Sequence, residues 1–340
     1  MITSDETVLD HVLAACATAD VQPTVVGDPG AVRAVWSVAP VVIVGVDQAA
    51  ELARLVLPHR DQIFVVGDSA HQTDLCEWSV PLCASVIVLP SGAAWLASVL
   101  ADAQGTAGKG LVVVLLGGSG GVGASTVAAS LAWTAARRGT RAMLVDLDPS
   151  GGGIDLLVGA ERLEGWRWPR LLGARGHLGD LDGQIPHLDG MDVLAMARDD
   201  CDDPPTPEAV AAVLASAGRS HQLVLVDVGR ELAPSGREAI RRADVTFVLS
   251  GTDVRALAAA RQTTQRVRPL ARDLRLLVRS ARTSLGSSVA AEAVGLTLFA
   301  VVPDDPWLPD AAERGDPPGR GNRPRWNKSC RDLLDRLVLP

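Results

Sequence analysis

Lysine is almost missing from this chain: Lys109 and Lys328 are the only two in 340 residues, and the remaining basic side chains are arginines. Chemistry that needs a lysine at a fixed loop position has almost nowhere to find one. Cysteine is also sparse. Cys16, Cys76, Cys83, Cys201 and Cys330 are odd in number, scattered and without a C-x-x-C pair, which fits reduced thiols better than a disulfide framework or a zinc site. The six histidines show no ligand spacing, so a metal held by protein groups alone is not expected. No apolar run approaches the roughly 20 residues needed to cross a bilayer, and the longest, such as Leu111 to Leu116, are strand-sized. The opening MITSDETVLDH has neither a basic stretch nor an apolar one, so no secretory leader is expected and the location read from it is cytoplasmic. A net charge of −8 argues against nucleic acid as the main partner.

Apolar residues make up 47% of the chain, enough for a large core, and the length suggests two domains. Over residues 1–102 the segments VQPTVVG, PVVIVGVD, DQIFVVGD and ASVIVLPSG read as buried parallel strands. Between them ETVLDHVLAACATAD, DPGAVRAVWSVA, QAAELARLVL and AAWLASVLADA carry apolar residues at helical spacing. The alternation implies βαβ units in a doubly wound sheet. Residues 103–110, AQGTAGKG, read as a linker. Residues 111–340 resume the alternation with LVVVLL, RAMLVDLD, MDVLAMA, HQLVLVDVG, VTFVLSG, LRLLVRS and LTLFAVVPDD as strands. DDPPTP (202–207) is expected to turn into a helix over 207–218, and 313–326, rich in Gly, Pro and Arg, reads as an irregular or mobile loop.

The chemistry concentrates in LVVVLLGGSGGVGASTVAASLAWTAARRG, from Leu111 to Gly139. An apolar strand enters a turn containing Gly118, Gly120, Gly121 and Gly123, and a helix begins near Ser125. Such a turn aims backbone N–H groups inward, and the helix adds the positive end of its dipole, so the stretch suits an anion. Ser125 stands where these loops ligate Mg²⁺, and Thr126 where they reach the phosphate nearest the ribose. A rival reading is a dinucleotide site: Gly118-x-Gly120-x-x-Gly123 satisfies G-x-G-x-x-G, and Asp146 ends the next strand where a ribose-binding acid belongs.

The N-terminal half resembles a response-regulator receiver domain in order and length. Its chemistry departs from that family. The phosphoacceptor position is approached by Asp47 about one residue late, and the fifth-strand Lys-Pro reads Leu89-Pro90. The resemblance therefore implies a pseudo-receiver kept as a docking surface.

From Gly110 to about Gly315, GGSGGVGASTVAASLA, VDLDPSGGGIDLLVG, LVLVDVGR, RRADVTFVLSGTDVRALAAARQ and VVPDD resemble, in order, the motifs of the MinD/ParA family of deviant Walker A proteins. Ala in GGVGAST, together with the receiver-like half, resembles the CpaE/TadZ branch, linked to pilus assembly, secretion machinery and polar positioning. GWRWPRL and LDGQIPHLDGMDVLA resemble actinobacterial members named as septum site-determining or secretion-neighbourhood CpaE-like proteins. Trp166 and Trp168 also read simply as large apolar residues covering a sheet.

This resemblance implies a nucleotide site, ATP or ADP with Mg²⁺, made by Gly118, Ser119, Gly120, Gly121, Val122, Gly123, Ala124, Ser125 and Thr126. Asp146 would support the Mg²⁺ shell, Asp148 would be the switch I residue placing water, and Asp227 with Gly229 would form the Walker B and switch II pair. Pro303 and Asp305 would neighbour the base, where the family's Asn-Arg pair is replaced by Arg279 and Ser280. Two lysines of the active family are absent, since their slots hold Ser119 and Ala124. Ground-state binding is spread over many N–H groups, whereas a cation counts most as charge develops in the transition state, about 10²–10³ in rate. Weak binding with little or no hydrolysis is expected. An alternative is an active ATPase using an arginine such as Arg230. MinD proteins end in a membrane-targeting helix, and RWNKSCRDLLDRLVLP places Trp326, Cys330, Leu333, Leu334 and Leu337 on one face. That pattern equally suits a helix packed on its own domain. Partners of the division or secretion/pilus machinery, and a homodimer, are implied by the resemblance.

Overall fold

The computed structural model describes the chain apart from residues 28, 37, 56, 59, 61, 105–109, 175–177, 179–180, 182, 199–203, 281–284 and 338–340. Most of the expected linker, Lys109, Cys201 and the head of the 202–207 turn lie outside the described residues. The chain divides into two compact units, Met1–Ala107 and Gly108–Pro340.

In the first unit, β1 (Val42–Gly45), β2 (Ile63–Asp68) and β3 (Ser85–Leu89) form a parallel sheet in that order. Their Val- and Ile-rich sequences suit burial on both faces. Val42, Val44, Ile63 and Val65 pack with Ala49 and Leu52 of the helix Val46–Arg54 and Leu75 of Gln72–Ser79. Ile43, Phe64, Val66 and Ile87 pack on the other side with the helices Glu6–Thr18 and Ala93–Gln104. The first helix starts where the Asp5 carboxylate accepts the N–H groups of Thr7 and Val8.

The expected strand over 21–27 does not form. Pro23 removes a ladder donor there, and the segment touches the sheet only lightly: Val26 N–H donates to Met1 O at 2.8 Å. Ile2 in turn makes a parallel bridge to Val44. The neighbour order 21–26, 1–2, β1, β2, β3 is that of a receiver sheet, 2-1-3-4-5, with its first two strands reduced to a pair of backbone hydrogen bonds each. The helix expected within 28–39 is a 3-10 helix, Pro29–Ala34.

The second unit is built on eight strands: β4 (Leu111–Gly117), β5 (Ala142–Leu147), β6 (His187–Leu188), β7 (Met191–Leu194), β8 (Leu223–Val228), β9 (Val245–Ser250), β10 (Leu274–Arg279) and β11 (Leu298–Val302). Their order is β11-β10-β9-β4-β8-β5-β7-β6, parallel except for the β6–β7 hairpin. The glycine-rich loop thus leaves the central strand, between β8 and β9. One face carries the helices Pro207–Ser220, Pro234–Arg242, Val254–Val267 and Ser287–Val294. The other carries Ala124–Ala136, Ile154–Val158, Trp307–Glu313 and Pro324–Arg336.

The apolar face of the last helix is spent inside the domain: Trp326, Cys330, Leu333 and Leu334 are buried with the helix Ala124–Ala136. Trp326 Nε1 donates to Ser130 Oγ at 3.1 Å. The loop expected over 313–326 is shorter: its ends belong to the helices Trp307–Glu313 and Pro324–Arg336, and only 314–323 is irregular, with Pro317 and Pro318 buried. Gly159 passes so close to the Gly315 carbonyl that a Cβ would fall 2.4 Å from it.

Candidate functional site

At the carboxyl end of β4, Gly118 presses against the helix Val254–Val267, where a Cβ would lie 2.6 Å from that of Ala260. Gly121 and Gly123 have φ of +69° and +95°, conformations that favour glycine. Gly123 is the N-cap of the helix Ala124–Ala136 and has no side chain with which to cap it, so the first-turn N–H groups face outward for a ligand. Ser119 through Val127 line one side of a cavity of about 400 Å³, with Asp148, Asp227, Gly229, Arg230 and Arg279 around it. Leu308, Pro309, Ala312 and Trp326 close the far wall. Gly118 lies behind the cavity, its N–H donating to Leu249 O at 2.8 Å.

The acids are arranged by strand register. Asp146 of β5 pairs with Asp227 of β8, itself beside Leu115 of β4. Burial pushes the Asp227 carboxyl up to about 7; the Ser125 hydroxyl bonded to it opposes the shift, and the charges of Asp146 and Asp148 add to it. Burial likewise raises Asp146 to about 6, against the backbone N–H groups of Asp148 and Ile154 that it accepts at 2.9 and 3.0 Å. At 2% exposure and with a backbone N–H on each oxygen, Asp146 shapes the turn after β5 and lies behind the cavity lining rather than in it. Trp168 Nε1 holds the Asp146 carbonyl at 2.6 Å. Asp148 does face the cavity, and Gly229 passes against it, a Cβ there falling 2.5 Å from Asp148 Oδ1.

Arginines stand where the loop has no lysine. Arg230 Nη1 is 3.5 Å from the position of a Cβ on Gly120. Arg279 Nη1 donates to Val122 O at 3.0 Å, while its Nε and Nη2 reach Asp304 Oδ1 at 3.1 and 2.5 Å. Pro303 and Asp305 are not in the cavity wall. Pro303 lines a separate hollow with Arg325 and Lys328, and Asp305 accepts the N–H of Trp307 at 3.0 Å. Sequence reasoning missed the far wall, because Leu308 and Trp326 reach the cavity only through packing of the last helices. Arg279 was legible as a departure from the family's base-reading pair, without its bond to the loop.

Ser125, Asp227 and Asp148 supply hard oxygen donors, the set that suits Mg²⁺. Among the described residues no group of three or more His, Cys, Asp or Glu could hold a metal. A Mg²⁺ ion there would need phosphate oxygens to complete its shell, and Ser125 and Asp227 are the residues that would hold it.

Fold and cavity together define an α/β nucleotide-binding domain. Residues 113–318 match the CobQ/CobB/MinD/ParA nucleotide binding domain, and residues 2–110 the Rv3660c-like, CheY-like N-terminal domain. The chain is 33% identical over 291 residues to protein Rv3660c of Mycobacterium tuberculosis strain H37Rv, covering 83% of this chain and 81% of that one. Solved structures of the same fold include the septum site-determining protein MinD with Mg-ADP from Pyrococcus horikoshii, with a TM-score of 0.57 and 16% identity over 67% of this chain and 96% of that one. The MinC:MinD complex of Aquifex aeolicus gives 0.54 and 18% over 67% and 96%. The chain belongs to the MinD/ParA nucleotide-binding family and carries a CheY-like N-terminal domain of the Rv3660c type.

Proposed function

We propose that this protein is a MinD/CpaE-like spatial regulator that binds ATP or ADP with Mg²⁺ weakly and hydrolyses it little or not at all. Its output is the placement of a division septum or of a secretion or pilus apparatus. The observation that carries this reading is a complete cradle without its cations: the glycine turn, Ser125, Asp148 and Asp227 surround one cavity, while Ser119 and Ala124 fill both lysine slots. Backbone N–H groups and the helix dipole sustain binding, and the missing ammonium groups remove stabilisation where γ-phosphate charge develops.

The pseudo-receiver and the surface around the cavity are the proposed docking faces for protein partners. The Aquifex MinD was solved in complex with MinC, which supports a protein partner here. A cytoplasmic location fits this reading, and among the described residues no helix is long and apolar enough to cross a membrane.

The test is titration of the full chain with Mg-ATP, Mg-ADP and NADH, with phosphate release followed on the same sample. Binding of the adenine nucleotides without turnover is expected. Tight NADH binding without ATP binding would overturn the assignment. A second reading, an active ATPase with arginine replacing lysine, is favoured by Arg230 beside Gly120. It predicts brisk phosphate release that Arg230→Ala abolishes.

A further inference from the structure

The cavity lacks a cation within its loop, yet one guanidinium is delivered to the loop from another strand. Arg279 ends β10, and its Nη1 lies 2.8 Å from where a Cβ on Gly123 would stand. Thr126 Cβ is 4.0 Å from that same point. Arg279 is thus beside the stretch where the loop enters its helix, the half that takes the phosphates nearest the ribose. Its three bonds to Val122 O and Asp304 use three of the five N–H groups of a guanidinium. One hydrogen on each terminal nitrogen remains available to a ligand among the described residues.

From this geometry we infer that Arg279 is a phosphate-binding cation of the site, contacting the α- and β-phosphates of a nucleoside di- or triphosphate and supplying a charge that the loop itself lacks. The inference rests on the nucleotide reading above and adds the residue that supplies the charge. Several features support it. The guanidinium lines the main cavity and is steered by a carboxylate behind it, an arrangement that fixes a planar fork with little entropy left to lose. Its side chain is 27% exposed, so the charge is neither buried beyond use nor free in solvent. The bond to Val122 O also couples its position to the loop backbone, so the cation moves with the cradle it serves. Asp304 is both its holder and its competitor, since each phosphate contact has to share a guanidinium already partly neutralised.

That competition gives the test its sign. Calorimetric titration of the full chain uses two probes, Mg-ADP and inorganic pyrophosphate with Mg²⁺, the second having no base to read. Arg279→Ala is expected to weaken both by about tenfold to a hundredfold, the range for a charge-assisted hydrogen bond. Arg279→Lys retains most of the pyrophosphate affinity. Asp304→Asn tightens both probes, because it frees the guanidinium from its carboxylate; a merely structural Arg279 would instead be loosened by that change and bind worse. Unfolding curves without ligand accompany each variant. If Arg279→Ala fails to fold, the opposite signs predicted for Asp304→Asn still decide. Unchanged affinities in Arg279→Ala, loss of ADP but not of pyrophosphate, or weaker binding in Asp304→Asn would each overturn the inference while leaving nucleotide binding intact. A wild-type chain that binds neither probe nor Mg-ATP removes the nucleotide reading itself, and Arg279's role with it.

Discussion

Asp146 and Asp227 are register partners on β5 and β8, two buried carboxyls side by side beneath the glycine loop. Burial is the larger penalty for both; the Asp146 charge makes Asp227 harder still to ionise, while Asp146 itself feels the charges of Asp148 and Asp155. Without a cation, the folded protein keeps the Asp227 proton up to about pH 7, whereas the unfolded chain gives it up near the ordinary aspartate value of about 3.9. In that window the folded state binds more protons than the unfolded one, so stability falls as pH rises. Relative to Asp227→Asn, wild-type Tm should therefore drop progressively from pH 5 towards about 7 and then run parallel. Curves that stay parallel throughout pH 5–8 would show that burial does not hold the proton. Mg²⁺ bound with phosphate favours the ionised carboxyl, so Mg-ADP should raise wild-type Tm more at pH 8 than at pH 5.

Restoring the loop cation tests the division between binding and turnover. Ala124 lines the cavity at the first position of the helix, and Ser119 lines it at the start of the turn. Ala124→Lys should raise affinity for Mg-ATP more than for Mg-ADP, since a lysine there reaches the β- and γ-phosphates. Phosphate release should rise by about 10²–10³ if the remaining acids are correctly placed. Ser119→Lys alone should change little in dilute monomer, because the family resemblance assigns that lysine to a partner's nucleotide. A double variant that binds tightly and still releases no phosphate would show that Asp148 does not place the attacking water.

The local parts of this architecture were readable because they are written in short range. Runs such as LVVVLL and LVLVDV can bury both faces only in a parallel sheet, and the glycine turn after β4 is contiguous. VQPTVVG misled because Val and Thr suggested a strand that Pro23 interrupts. The two-residue β6 left no periodic signal. The cavity's walls were a different matter. Arg279 meets Val122 across 157 positions, and Trp326 meets Ser130 across 196. No pattern within either segment records such a meeting; it follows from how β10 and the last helix pack on the sheet. Nor does the sequence around Asp146 record that its two oxygens accept the N–H groups of Asp148 and Ile154.

Asp47 tests the pseudo-receiver reading. It lies in the first turn after β1, with Oδ1 accepting the Thr3 hydroxyl at 2.8 Å and Oδ2 the Ser4 N–H at 2.7 Å. Both oxygens are thus bound to the N-terminal segment rather than gathered with other acids around a metal. At the fifth-strand position the side chain is Leu89, 1% exposed, where the receiver family has a lysine. Acetyl phosphate with Mg²⁺ should leave the intact mass of the protein unchanged. Asp47→Ala should lower the Tm of the N-terminal unit through loss of these two contacts. A mass gain of one phosphoryl group that Asp47→Ala removes would restore a working receiver.

The last helix has spent the face that could have met lipid. Trp326, at 2% exposure, is held by Ser130, whose own hydroxyl donates to the Thr126 carbonyl at 2.6 Å. The indole is therefore two hydrogen bonds from the loop and also forms part of the cavity wall. Releasing this helix to a membrane would open the core behind the site. Truncating a buried tryptophan costs about 3–5 kcal/mol, so Trp326→Ala should lower Tm sharply and weaken Mg-ADP binding together. Trp326→Phe, which fills most of the space without the N–H, should lose less stability and show whether the Ser130 bond matters to the nucleotide. The wild-type chain should not sediment with anionic vesicles. Vesicle binding that Trp326→Ala abolishes without any loss of stability would mean that the helix works at the membrane after all.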